Sequence, residues 1–285
     1  MHSSAPDTAA LRQEIAHLAA GVPTEARREA RVAVGRLFRC LERGDIRAAE
    51  RLPSGRWQVN LWVKEGILLA FRLGRLVEAG AAGPLNFFDK DTLPPRNFRL
   101  EDEVRVVPGG SIIRAGAHVG RGVIVMPPSF VNVGSYVGDE TLLDSHALVG
   151  SCAQVGRRVH LSCGAQLGGV LEPAGALPVI IEDDAMIGGN VGIFEGTIVR
   201  EGAVIAPGVT LSAGTVVYDA VRDHLIRSDN TRTLEIPPGA VVVPGTRPAS
   251  QGPAAERGIA IYTPVIIKYR DDRTNSHVRL EELLR

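Results

Sequence analysis

From Val107 onward an aliphatic residue recurs at every sixth position: Val107, Ile113, Val119, Val125, Val131, Val137, Leu143, Val149, Val155, Leu161 and Leu167. The period resumes at Ile181 and continues through Ile187, Ile193, Val199, Ile205, Leu211 and Val217. A second track of small or β-branched residues lies two positions ahead of the first. It reads Ala117, Val123, Ser129, Ser135, Thr141, Ala147, Ala153, Val159 and Ala165, then Ala185, Val191, Thr197, Ala203, Val209 and Thr215. A helical period of 3.6 cannot hold both tracks in phase, and simple alternation would not leave the other positions polar or Gly. The hexapeptide period predicts a parallel β-helix. Each hexad makes one short strand and one corner, and three hexads close a triangular coil whose aliphatic residues stack on those of the next. About six coils are expected.

Leu167 and Ile181 stand 14 residues apart where 6 would continue the period, so about eight residues leave the coil. The Gly and Pro of Gly168–Ala176 mark an excursion loop over 168–180. Such a loop can carry function or be a plain surface insertion, and both readings stay open. Upstream, Leu11, Ile15 and Leu18, then Val32, Val34, Leu37, Phe38 and Leu41, predict two helices parted at Gly21-Val22-Pro23. Trp57, Val59, Leu61 and Trp62 predict a short strand, with a helix following at Ile67–Phe71. Residues 81–103 read as a Gly/Pro-rich connector. Downstream, strands are expected at Ala240–Val243 and from Ile259 to Lys268. The expected architecture is therefore mainly β. A largely helical α/β cap spans 1–103, the β-helix 104–218 and a C-terminal β extension 219–285, with the tails covering the open coil ends.

At 285 residues the chain suffices for one or two domains. Basic and acidic residues balance at 32 each, which argues against nucleic acid or an anionic membrane as the main partner. The 32 glycines and 5% aromatics suit small residues at tight, repeated corners. Cys40, Cys152 and Cys163 form no C-x-x-C pair and are odd in number, so a reducing cytoplasm is expected rather than a disulfide framework. No uncharged apolar stretch is long enough to span a membrane. The charged opening segment, with Asp7, Glu14, Glu25 and several Arg, does not read as a signal peptide.

Several blocks are more specific than the repeat that carries them. They are Trp62-Val63-Lys64-Glu65 with Leu68-Leu69-Ala70-Phe71-Arg72, Phe88-Asp89-Lys90, Arg105-Val106-Val107-Pro108, and Pro128-Ser129-Phe130-Val131-Asn132-Val133-Gly134-Ser135-Tyr136-Val137. They continue with Val149-Gly150-Ser151-Cys152-Ala153-Gln154-Val155-Gly156, Val159-His160-Leu161-Ser162, Gly168-Gly169-Val170-Leu171-Glu172-Pro173, Ile180-Ile181-Glu182-Asp183 and the ending Glu281-Glu282-Leu283-Leu284-Arg285. In order and spacing, over about residues 32–285, they resemble the tetrahydrodipicolinate N-succinyltransferase family. The resemblance implies a left-handed coil, a cytoplasmic homotrimer and a place in lysine and diaminopimelate biosynthesis. It implies acyl transfer from an acyl-CoA cosubstrate, succinyl-CoA or acetyl-CoA, to the amine of a tetrahydrodipicolinate-like amino-dicarboxylate. It also implies no tightly bound cofactor, no metal and no covalent acyl-enzyme.

Residue by residue, Asp144 in Leu142-Leu143-Asp144-Ser145 matches the family's proposed catalytic aspartate. A carboxylate there would hold the amine and accept its proton; on its residue type alone it is equally a turn aspartate at a hexad corner. His146 stands where the family usually has Trp. Two residues beyond Asp144, it is expected on the same side of a strand as a second candidate base, or else as a solvated corner histidine. For the acceptor the resemblance points to Gly168 and to the stretch after Ile187-Gly188. Typical members carry a small residue and then Arg-Ser-Glu there, whereas this chain has Gly189-Asn190-Val191-Gly192. Asn190 cannot replace a bidentate guanidinium, and Gly192 supplies neither acid nor base. For CoA the candidates are Ala206, Ser212, Gly214 and Lys268. His160 reads as a structural hydrogen-bonding residue, and Cys152 and Cys163 as small packing residues.

The leading reading is the family's succinyl transfer. The departures at Asn190 and Gly192 also suggest a diverged paralogue of secondary metabolism, as in a tabtoxin-like β-lactam pathway, with a changed acceptor or acetyl-CoA as donor. A reading of another class is a non-catalytic β-helix for binding or assembly; Asp144 and the Gly150–Gln154 block argue against it. A gamma-class carbonic anhydrase shares the coil, but His118, His146 and His160 are not spaced like its three zinc histidines.

Overall fold

The computed structural model describes residues 8–82, 85–229 and 232–270. From Ile112 the hexads fold as two-residue strands joined by turns. The second residue of each strand points inward, and the strands stack in parallel on three faces. Face 1 carries Ile124–Val125, Leu142–Leu143, His160–Leu161, Met186–Ile187 and Val204–Ile205. Face 2 carries Ile112–Ile113, Phe130–Val131, Leu148–Val149, Gln166–Leu167, Gly192–Ile193 and Thr210–Leu211. Face 3 carries His118–Val119, Tyr136–Val137, Gln154–Val155, Ile180–Ile181 and Ile198–Val199.

Every aliphatic position from Ile113 to Val217 is buried in one continuous core, together with Ala117, Val123 and the other apolar members of the second track. The polar members Ser129, Ser135, Thr141 and Thr197 are buried too, each with its hydroxyl on a backbone carbonyl. Ser129 Oγ donates to the Met126 carbonyl (2.7 Å), Thr141 Oγ1 to Gly156 (2.9 Å) and Thr197 Oγ1 to Phe194 (2.7 Å). A hydroxyl is tolerated in the core because its hydrogen bond is made.

The structure departs from the expected repeat at both ends. Val106, not Val107, lies opposite Val125, and Val107 stays outside the core. Phe98 and Val104 pack against the core's first coil instead. At the other end Val217 does not continue face 3. It starts the strand Val217–Asp219, which pairs with His224–Ile226 and Val265–Tyr269. Glu235–Ile236 takes the place beside Ile198–Val199, and Ala240–Val243 the place beside Val204–Ile205. Leu234, Ile236, Ala240 and Val242 thus extend the same core, so the coil resumes after 217. The excursion between Leu167 and Ile181 is present as expected, with Ile181 back in register below Val155.

The helices α1 (Thr8–Ala20), α2 (Arg27–Arg43) and α3 (Leu61–Leu73) form a second core. It includes Val133 and Cys152, which sit at corners between faces 2 and 3. The helices therefore dock along this edge of the prism and do not merely cover its open end. Gly134 permits that approach: with φ +74°, its Cβ would stand 2.5 Å from Ile67 Cδ1. α3 ends at Leu73, and a hairpin, Leu76–Ala82 paired with Leu85–Lys90, starts ahead of the connector expected over 81–103 and runs into it. The Glu281–Arg285 block lies outside the described residues.

Candidate functional site

Asp144 lies in the corner that carries the chain from Leu142–Leu143 on face 1 to Leu148–Val149 on face 2. Its backbone is held from three sides. Its N–H donates to the Leu161 carbonyl (2.9 Å), and its own carbonyl accepts from Ala147 N–H (3.0 Å) and Ser129 Oγ (3.0 Å). Its side-chain Oδ1 takes the Ser145 N–H at 2.7 Å. The carboxylate is half-buried at the coil's edge.

The expectation that His146 shares a strand side with Asp144 is corrected. Residues 144–147 form a turn, and His146 is an exposed corner residue with φ 63°. Strand alternation does not operate through a corner. Gly164, Asn190 and Gly208 take the same left-handed position in the following coils, at φ +73°, 55° and +76°. Asn190 is therefore exposed on the same prism edge as Asp144, two coils on, or about 10 Å at the usual strand spacing.

Gly192 is elsewhere, on face 2 between Gln166 and Thr210, and it is buried. What buries it is Phe194. A Cβ on Gly192 would lie 2.6 Å from Phe194 Cε2, and a Cβ on Gly168 2.7 Å from Phe194 Cδ1. One ring thus joins two of the three candidate acceptor positions, which chain order had left 24 residues apart. Gly168 opens the excursion loop. A cavity of about 540 Å³ lies between that loop and Phe194, and a second of about 850 Å³ between the loop's Leu171 and α1 and α3.

The loop is tied back by Lys64 of α3, whose Nζ donates to the Ala176 carbonyl. Lys64 is fully buried, and burial holds its ammonium below the ordinary lysine value of 10.5. Next to it burial pushes the Cys152 thiol up to about 12, which makes Cys152 a packing residue and no nucleophile. Cys163, by contrast, is exposed at its corner. Because Lys64 binds fewer protons folded than unfolded, stability rises with pH from its lowered value up to 10.5. Lys64→Met is expected to flatten that alkaline rise, so its melting temperature relative to wild type falls as pH climbs through the window. Thermal melts at neutral and alkaline pH measure it; parallel curves for the two proteins would defeat the assignment.

The four CoA candidates do not converge within one chain. Ala206 is at a corner between faces 1 and 2, Ser212 and Gly214 are at a corner between faces 2 and 3, and Lys268 lies on the strand Val265–Tyr269. The family-like block around Gln154 serves to dock the N-terminal elements on face 3. Arg47 Nε donates to Gln154 Oε1 (2.8 Å), and its guanidinium lies 3.7 Å from the Tyr136 ring centroid. His118 stacks on the same ring at 4.3 Å, with Nδ1–H on the Glu42 carbonyl. Trp57 Nε1 and Arg200 both donate to the buried Glu182 (2.8 Å each). His118, His146 and His160 stand on face 3, a corner and face 1 respectively, so they form no cluster. Lys64, which meets the loop, and Phe194, which meets Gly192 and Gly168, were not among the candidates. Lys64 carried a signal, a cation among the buried positions of an apolar helix; Phe194, an aromatic two residues from Gly192, carried a weaker one.

The stacked hexads on a stiff β scaffold have the fold of the hexapeptide-repeat acyltransferases, and the relatives place the chain in that class. Residues 11–73 match the model of the tetrahydrodipicolinate N-succinyltransferase N-terminal region, and 178–218 that of the hexapeptide repeat of succinyl-transferase. The 2,3,4,5-tetrahydropyridine-2,6-dicarboxylate N-succinyltransferase of Nitrobacter winogradskyi is 43% identical over 267 residues, 91% of each chain. That of Bradyrhizobium diazoefficiens is 42% identical over 273 residues, 93% of each. A solved Campylobacter jejuni 2,3,4,5-tetrahydropyridine-2-carboxylate N-succinyltransferase aligns with 13% identity and a TM-score of 0.43, over 86% of this chain and 63% of that one. The chain belongs to the tetrahydrodipicolinate N-succinyltransferase family, and its fold is that family's left-handed parallel β-helix. Among the described residues no helix is long and apolar enough to cross a membrane.

Proposed function

We propose that this chain transfers an acyl group from an acyl-CoA, succinyl-CoA first, to the amine of a tetrahydrodipicolinate-like acceptor in the cytoplasm, within lysine and diaminopimelate synthesis. The observation that carries the reading is 43% identity to a named N-succinyltransferase over 91% of both chains. In the step proposed, the amine nitrogen bonds to the thioester carbonyl carbon and the carbon–sulfur bond breaks. Asp144 accepts the proton the nitrogen loses and passes it to the departing sulfur, so CoA leaves as the thiol and the carboxylate is restored. Positioning on a rigid corner supplies much of the rate, and the base the remainder. Thiol release from succinyl-CoA and acetyl-CoA, with and without tetrahydrodipicolinate, tests it; no acceptor-dependent release from either donor would overturn the reading.

The working unit in this proposal is a homotrimer. Two features support it. Asp144 lies on the edge between faces 1 and 2 while Gly168 and Phe194 lie on that between faces 2 and 3, so a neighbouring subunit is required to complete one site. The outward residues of face 1, Ile124, Leu142, His160, Met186 and Val204, are also half-buried in the single chain, and all but His160 are apolar. Light scattering is expected to give three times the chain mass at micromolar protein; a fully active monomer would refute this.

A further inference from the structure

Among the described residues Lys64 is the one lysine or arginine that is fully buried, and no carboxylate pairs with it. What its ammonium meets is the Ala176 carbonyl. An ammonium buried against a neutral carbonyl keeps a net desolvation penalty, and a methionine would fill the same space without it. Packing of the helical core therefore does not account for the charge. The excursion loop does. Its flanks are held by other means: Val170 N–H donates to the Ser151 carbonyl (3.1 Å), Leu171 packs on the helical core, and Leu177 packs on the small cluster of Ala49, Ile180 and Ile198. Between those flanks Glu172, Pro173 and Gly175 are exposed, and the segment's own bond runs from Ala176 N–H to the Pro173 carbonyl (2.9 Å). Among the described residues the hydrogen bond that reaches 172–176 from outside the loop is the one from Lys64. The same Ala176 lines the 540 Å³ cavity together with Gly168 and Phe194, whereas Lys64 does not line it.

From this we infer that Lys64 is a positioning residue for the acceptor: its ammonium holds Ala176, and with it the wall that the excursion loop presents to the cavity opening at Gly168. Lys64 touches no reacting atom. The inference rests on the acyl-transfer reading above and on Gly168 as an acceptor position. A loop without the tether spends part of its time away from that wall, and acceptor affinity falls by the fraction of the ordered state that is lost. The tether lies within one chain, so it acts whichever groups a neighbouring subunit adds to the cavity.

Lys64→Met keeps the stem and removes the ammonium. With tetrahydrodipicolinate and succinyl-CoA its acceptor KM is expected to rise about tenfold or more, the worth of a hydrogen bond from a charged donor, while kcat and the succinyl-CoA KM stay within about threefold of wild type. Amide exchange over 171–177 is expected to quicken while that of the coil strands stays as in wild type. Lys64→Gln, uncharged and shorter by one atom, is expected to show the same split and decides the matter if the Met variant does not fold. A folded variant whose acceptor KM stays within about twofold of wild type overturns the inference and leaves acyl transfer standing. So does a fall in kcat with both KM values raised alike, or coil amides that quicken along with the loop, because either marks a residue that only supports the fold. A wild type without acceptor-dependent thiol release from either donor overturns the acyl-transfer reading, and the inference with it.

Discussion

Asp144→Asn is expected to lower kcat for acyl transfer by about 10²–10⁴-fold, the usual worth of a positioned general base. The substitution is chosen for what it keeps. An amide oxygen still accepts the Ser145 N–H, and the backbone bonds to Leu161, Ala147 and Ser129 do not involve the side chain. Volume and corner geometry therefore persist, and what disappears is the ability to take a proton. The acceptor KM should change much less than kcat, because the amide still holds the amine by a hydrogen bond. Steady-state thiol release resolves the two constants. A variant retaining more than about a tenth of the wild-type kcat would place proton acceptance elsewhere.

Leu161→Ala is expected to destabilise the protein by about 2–5 kcal/mol. Leu161 is fully buried and stacks between Leu143 on one side and Ile187 on the other. Each coil of a β-helix leans only on its neighbours, so a gap in the middle of face 1 weakens two interfaces at once. The strands on either side are held by backbone ladders and cannot collapse into the space, which keeps the cavity open. Ile112→Ala is the control. Ile112 is one residue ahead of the inward Ile113, points outward and is 43% exposed, and its loss should cost within about 0.5 kcal/mol. Thermal or denaturant melts give both numbers. Equal effects would show that inward and outward positions had been confused.

The paired tracks determined the coil without any tertiary information, because a period of six admits few other folds. Inward and outward residues of a two-residue strand cannot exchange places without burying the polar ones. The same logic located the excursion at 168–180. It could also have found the last coil, since Leu234, Ile236, Ala240 and Val242 repeat both tracks after the gap. That signal was short, two hexads behind an interruption, and a brief pattern of this kind is also what an ordinary strand would show. Asp144 and Gly168 became candidates only through blocks that resemble a family.

What the sequence could not supply was adjacency between coils. Lys64 meets the loop at Ala176 across 112 residues. His146 was read by strand alternation although a left-handed corner had already reset the direction of its side chain. Phe194 gave no sign that it would cover both Gly192 and Gly168, because Gly168 belongs to the preceding rung of face 2 and meets the ring only when the rungs stack. Hexad spacing says which way each residue faces and which rung it occupies. The width left between a ring and two glycines depends on how neighbouring coils, loop and helices pack, and only the tertiary structure decided it.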